Sequence, residues 1–111
     1  MTVGWWFTEA RLTMAQTPEG RVKDAVKKVL KARDIWFFMP MQNGFGVVGI
    51  PDFICCWKGQ FLAIETKAPG KRGQTTPNQE RRIEEIKTHG GWAIVVDDAK
   101  QVIEYINSEG S

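Results

Sequence analysis

Gly49-Ile50-Pro51-Asp52-Phe53-Ile54-Cys55-Cys56-Trp57-Lys58-Gly59-Gln60-Phe61-Leu62-Ala63-Ile64-Glu65-Thr66-Lys67 is the stretch that decides the fold. It reads as two apolar strands around a tight turn. A two-residue Lys58-Gly59 loop sets the register: Trp57 faces Gln60, Cys56 faces Phe61, and Asp52 falls opposite Glu65. Opposed residues on an antiparallel pair have Cβ atoms about 4.5–5.5 Å apart, so two carboxylates placed there repel. A divalent cation turns that liability into a ligand pair, because hard cations take carboxylate oxygens. Lys67 lies two residues beyond Glu65, on the same face of the pleat. An Asp and a Glu around a metal, with a Lys beside them, is an arrangement suited to cleaving phosphodiesters. The register rests on the turn length, since a slip of one residue moves every side chain to the other face.

Each of these residues has a plainer reading. Pro51-Asp52 can simply open a strand after a turn, and Lys67 alone is an ordinary strand-end lysine. Neither accounts for Glu65, an acid inside an apolar strand, which is costly if buried unpaired. A same-face Glu65–Lys67 pair would relieve that cost without any metal. Thr66 alternates to the opposite face, so its backbone carbonyl is the only group it could offer to an ion bound by Glu65.

Working outward, Thr17-Pro18-Glu19 reads as an N-cap, a proline in the first helical position and a first-turn acid. Val22, Ala25, Val26, Val29 and Leu30 follow at helical spacing, giving an amphipathic helix to about Ala32 with Lys23, Lys27, Lys28 and Lys31 largely elsewhere on the cylinder. Glu19 stands at the N-terminal end of the apolar stripe and faces inward. A first-turn acid favoured by the helix dipole, worth about 0.3–1 kcal/mol, explains it equally well. Ile35 to Met39 is a short apolar strand and Gln42 to Gly46 a loop. After the hairpin, Ala68 to Thr75 is a mobile basic loop carrying Lys71 and Arg72. Thr76-Pro77-Asn78-Gln79 is a capping box that opens a second helix, which carries Ile83 and Ile86 and stops at His89-Gly90-Gly91. As a capping residue Gln79 needs no further role. Trp92 to Val96 is a buried strand, and Asp97 or Asp98 caps a last helix with Val102, Ile103 and Ile106. The order is α-β-β-β-α-β-α, an α/β architecture with a mixed central sheet flanked by helices.

Composition sets the bounds. The chain has 111 residues, enough for one core, with 42% hydrophobic and 25% charged residues and a net charge of +2, ordinary globular values. So weak a basic excess neither demands nor excludes nucleic acid, because a local patch can serve. No apolar run approaches the roughly 18–20 residues of a spanning helix, and no signal peptide is apparent. Cys55 and Cys56 point to opposite faces of one strand and cannot readily pair with each other, which fits a reducing, cytoplasmic setting. Residues 1–16, with Trp5, Trp6, Phe7, Leu12 and Met14, show no clear period and form an aromatic N-terminal arm; residues 17–111 are expected to be a single domain.

Pro51-Asp52, a gap, and Glu65-Thr66-Lys67 resemble the PD-(D/E)xK nuclease motif. With Gly49-Ile50 before it, Glu19 on the preceding helix and the later Gln79, the chain resembles the virus-type replication-repair nuclease (VRR-NUC) branch of that superfamily, in its stand-alone phage- or prophage-like form. The likeness runs from about Thr17 to Tyr105. It implies a restriction-endonuclease-like core and hydrolysis of DNA with Mg²⁺ or Mn²⁺. The ion would be held by Asp52, Glu65, the Thr66 carbonyl and, directly or through water, Glu19. Lys67 would act on the attacking water, and Gln79 would lie near the scissile phosphate. Lys71, Arg72, Arg81 and Arg82 are candidates for DNA phosphates, although exposed basic residues are by default a solvated surface. The resemblance further implies a Holliday-junction resolvase-like homodimer acting on branched DNA in the cytoplasm of a bacterial host. Flap or general duplex cleavage, and a non-catalytic DNA-binding module, are the alternatives. Trp5, Trp6 and Phe7 are candidates either for the dimer contact or for packing on their own domain.

Overall fold

The computed structural model describes residues 16–41 and 47–109. The aromatic arm before Gln16 and the loop Gln42 to Gly46 lie outside the described residues, and with them the expectations placed on Trp5, Trp6 and Phe7. Helix α1 (Pro18–Ala32) leads into β1 (Trp36–Phe38), β2 (Phe53–Trp57) and β3 (Gln60–Thr66); α2 (Pro77–Thr88) then crosses to β4 (Trp92–Val96), and α3 (Lys100–Glu109) follows. The sheet order is β1-β2-β3-β4. β2 pairs antiparallel with β1 on one side and with β3 on the other, whereas β4 runs parallel to β3. The sheet is therefore mixed, as the element order requires, because only the β3-to-β4 connection contains a crossover helix.

The turn behaves as its residues dictate. Lys58 (φ 52°) and Gly59 (φ 77°) are both left-handed, the backbone of a two-residue hairpin turn whose twist matches its strands. Trp57 pairs with Gln60, Cys56 with Phe61, and the register runs on to Phe53 opposite Ile64. The first strand is shorter than its apolar run, covering Trp36–Phe38 rather than Ile35 to Met39.

Alternation along β3 divides the core between two layers. Leu62 and Ile64 pack with Phe53 and Val96 against Val22, Val26 and Leu30 of α1 and Val102 and Ile106 of α3. Ala63 faces the other way, with Ala93, against Ile83 of α2. The small Ala63 and Ala93 let α2 lie close to the sheet, so its N-terminus meets the end of β3. Cys55 is buried and Cys56 exposed, both as free thiols, and burial pushes the Cys55 thiol up to about 12.

The basic loop after Lys67 is tied down rather than loose. The Gly70 N–H donates to Asp97 Oδ2 (2.9 Å) and Arg72 Nε to the Val95 carbonyl (2.8 Å). The Gln101 amide and the Gly70 N–H hold the Asp97 carboxyl below its usual range. At the start of α3, Asp98 Oδ1 accepts the Lys100 N–H (2.8 Å). No helix among the described residues is long and apolar enough to cross a membrane.

Candidate active site

Three elements meet at the C-terminal end of β3. The strand delivers Glu65, Thr66 and Lys67, which are only 3%, 0% and 9% exposed. Three consecutive buried polar residues where an apolar strand ends are unusual, since each must recover the hydration it loses.

Asp52 precedes the last laddered pair of the hairpin, Phe53 with Ile64, and so stands one step beyond it, across from Glu65. Its carboxylate occupies the place where the ladder stops. Oδ2 accepts the Thr66 backbone N–H (3.1 Å) and the Thr66 hydroxyl (2.5 Å). Strict alternation sends the Thr66 side chain away from this site, and the structure corrects that. Past the ladder's end Asp52 follows a bend rather than the pleat, so its carboxylate reaches the Thr66 amide and hydroxyl together. The remaining oxygen, Oδ1, is 3.6 Å from Lys23 Nζ.

Glu65 is held on one side only. Its Oε2 accepts from Gln79 Nε2 (3.0 Å) and lies 3.7 Å from Lys67 Nζ. Its Oε1 is buried with no hydrogen-bond partner, an exposure to strain that native interiors seldom carry without a reason. Burial, and after it the negative charge of Asp52, push the Glu65 carboxyl up to about 7; Lys67 opposes the shift and Glu19 adds to it. The two carboxylates thus feel each other as the register requires.

Gln79 joins the capping box to the chemistry. Its Oε1 accepts from the Thr76 N–H (3.0 Å) and from Lys67 Nζ (2.8 Å), while its Nε2 donates to Glu65. Two donors on one side of the amide and an acceptor on the other fix its orientation. The cap that starts α2 therefore also fixes the distance between Glu65 and Lys67. Gly49 seats that helix. It has φ +79°, and a Cβ there would come within 2.4 Å of the Asn78 carbonyl oxygen, so both the backbone angle and the contact require glycine. Arg82 Nε donates to the Val48 carbonyl (3.1 Å) and clamps the same segment.

The structure thus brings Asp52, Glu65, Thr66, Lys67 and Gln79 into one cluster. Glu19 lies close enough for its charge to act on Glu65, yet among the described residues no three His, Cys, Asp or Glu side chains form a group that could hold an ion. The acids at the core of the site are two. Lys71 is exposed on the basic loop. Arg72 is tied to Val95, Arg81 Nη2 donates to Asn78 Oδ1 (3.0 Å), and Arg82 pairs with Glu85 (2.7 Å), so these arginines have work within the fold. Lys23 is the residue that sequence reasoning missed. The apolar stripe of α1 leaves it largely elsewhere on the cylinder, although its spacing of four residues from Glu19 puts the two on one helix face.

The two carboxylates offer Glu65 Oε1, which is buried without a hydrogen-bond partner, and Asp52 Oδ1, which faces Lys23 Nζ at 3.6 Å. That is a hard-oxygen donor set of the kind a Mg²⁺- or Mn²⁺-sized ion takes, with water completing its shell.

No family model matches the chain, and no curated protein matches it. Two solved chains do. One of them, titled "VRR_NUC domain", is 29% identical, with a TM-score of 0.64, over 82% of this chain and 96% of that one. The chain has a VRR-NUC-like fold, and its mixed four-stranded sheet with flanking helices is consistent with a restriction-endonuclease-like core. The likeness suggests a nuclease domain.

Proposed function

We propose that this chain is a Mg²⁺- or Mn²⁺-dependent endodeoxyribonuclease that hydrolyses DNA phosphodiesters, acting on branched DNA as a Holliday-junction resolvase-like homodimer. The observation that carries the reading is the buried, unpartnered Glu65 Oε1 beside Asp52, in a fold like that of a VRR_NUC domain. Asp52 Oδ1, Glu65 Oε1 and the Thr66 carbonyl would hold the ion, with Glu19 acting through water. When bound, such an ion polarises a phosphate and lowers the pKa of a nearby water. Thr66 aims the Asp52 carboxylate by occupying its other oxygen. Lys67, steadied by Gln79 Oε1 and Glu65 Oε2, presents its ammonium where it can orient the attacking water and offset phosphate charge. Lys71, Arg72, Arg81 and Arg82 would extend the phosphate contacts, with the arginines keeping their internal bonds.

Size motivates the dimer and the branched substrate. Specific protein–DNA interfaces bury about 1,000–2,500 Å² of protein surface, a demanding share for one small domain. A four-way junction has two-fold symmetry, and a C2 dimer offers it two equivalent sites. The free thiols agree with a reducing cytoplasm. The test is a panel of end-labelled four-way junction, flap and linear duplex with Mg²⁺, Mn²⁺ or EDTA, beside light scattering over a concentration series. Metal-dependent cuts favouring the junction, from a dimer, are expected. A monomer that cuts linear duplex equally well would remove the resolvase reading and leave the nuclease. No cleavage of any substrate would remove both.

A further inference from the structure

Lys23 stands in the site without belonging to the motif that defines it. Its Nζ is 3.6 Å from Asp52 Oδ1. The other Asp52 oxygen is fully engaged by the Thr66 amide and hydroxyl. Oδ1 is therefore the one oxygen of Asp52 left for a cation, and Lys23 is already facing it. On the other side of the cluster Lys67 faces Glu65 Oε2 at 3.7 Å. Two ammonium groups thus stand against the two carboxylates, one on each side of the cluster. The positions of the two lysines are not equivalent, however. Lys67 is 11% exposed along its side chain and is held by Gln79, whereas the side chain of Lys23 is 33% exposed. A flexible lysine with an open route to solvent can withdraw its charge at little cost.

We infer that Lys23 is a displaceable counter-ion for Asp52 Oδ1, which neutralises the carboxylate in the metal-free protein and yields that oxygen to the entering ion. The inference rests on the metal-site reading above and adds a residue that sets how tightly the site loads. An ion within ligand distance of Oδ1 and an ammonium at 3.6 Å would repel each other, so binding must include moving Lys23 away. The work of that displacement lowers metal affinity. Lys23 also offsets part of the repulsion between the two neighbouring acids.

Isothermal titration of Mn²⁺ into metal-free protein tests this without any turnover. Lys23→Gln is expected to tighten Mn²⁺ binding on the order of tenfold, because one positive charge beside the ligand oxygens is gone. Lys23→Arg keeps the charge and should titrate like wild type. Asp52→Asn should weaken binding strongly, and Lys23→Gln should add nothing in that background. Melting in EDTA and in Mn²⁺ supplies the second reading: Lys23→Gln should melt below wild type in EDTA and gain more on adding Mn²⁺. Affinity equal to or weaker than wild type in Lys23→Gln, or an equal loss of melting temperature with and without Mn²⁺, would overturn the counter-ion role while leaving the metal site intact. A wild-type protein that binds no Mn²⁺ would overturn both.

Discussion

Replacing Glu65 with glutamine should make the metal-free protein more stable at high pH while leaving it nearly unchanged at low pH. The Glu65 carboxyl is raised from 4.5 to about 7 in the folded chain, by burial first and by Asp52 second. Between those two values the folded state holds a proton that the unfolded state has released, so stability falls as pH rises through the window. A carboxyl moved that far corresponds to about 3 kcal/mol, at roughly 1.4 kcal/mol per pH unit. Glutamine is close in shape to the protonated acid and never ionises. Urea denaturation in EDTA at pH 5 and pH 8 is the assay. At pH 5 the two proteins should unfold at similar urea concentrations; at pH 8 Glu65→Gln should be the more stable by up to about 3 kcal/mol. Saturating Mg²⁺ should reverse the order at pH 8, because an ion that binds only the folded wild type stabilises it. Parallel pH dependences for the two proteins in EDTA would refute the claim that Glu65 is an uncompensated buried acid.

Gly49→Ala should cost about 1–3 kcal/mol through its positive φ alone, and more because its Cβ would press on the Asn78 carbonyl; urea denaturation reads the loss, and an unchanged midpoint would mean that α2 is not seated on Gly49. Thr66→Val should cost about 1–3 kcal/mol by leaving buried Asp52 Oδ2 without its hydroxyl donor, measured in the same way. Lys67→Ala should depress turnover far more than DNA affinity, because positioning a water acts in the transition state whereas groove binding is spread over many phosphates. Single-turnover kinetics beside a binding titration in Ca²⁺ separates the two, and equal losses would make Lys67 a binding residue.

Much of the scaffold of the site can be read from local sequence because turn chemistry and strand parity are local. Lys58-Gly59 dictates the register, and the register puts Asp52 across from Glu65. The Thr76–Gln79 capping box places Gln79 at the start of α2, but its second set of bonds, to Glu65 and Lys67, depends on how α2 packs on Ala63 and Ala93. That is tertiary information. The Thr66 contact was hidden for a different reason: parity holds only within the ladder, and Asp52 lies just outside it. Lys23 was hidden by treating α1 as a stripe of apolar residues. A helix whose first turn abuts a polar site presents polar residues on its inner face there, and the Glu19–Lys23 spacing was the available signal. The bonds that tie Arg72 and Arg82 to backbone carbonyls carry no local sequence signature at all.

Cleavage of a labelled four-way junction by wild type and by Glu65→Gln, each in Mg²⁺ and in EDTA, bears most directly on the site. Wild type should cut only with Mg²⁺, and Glu65→Gln should stay folded yet cut in neither condition. Cleavage by wild type in EDTA, or by Glu65→Gln at the wild-type rate in Mg²⁺, would contradict the assignment of Glu65 and Asp52 as the metal-holding pair of a nuclease.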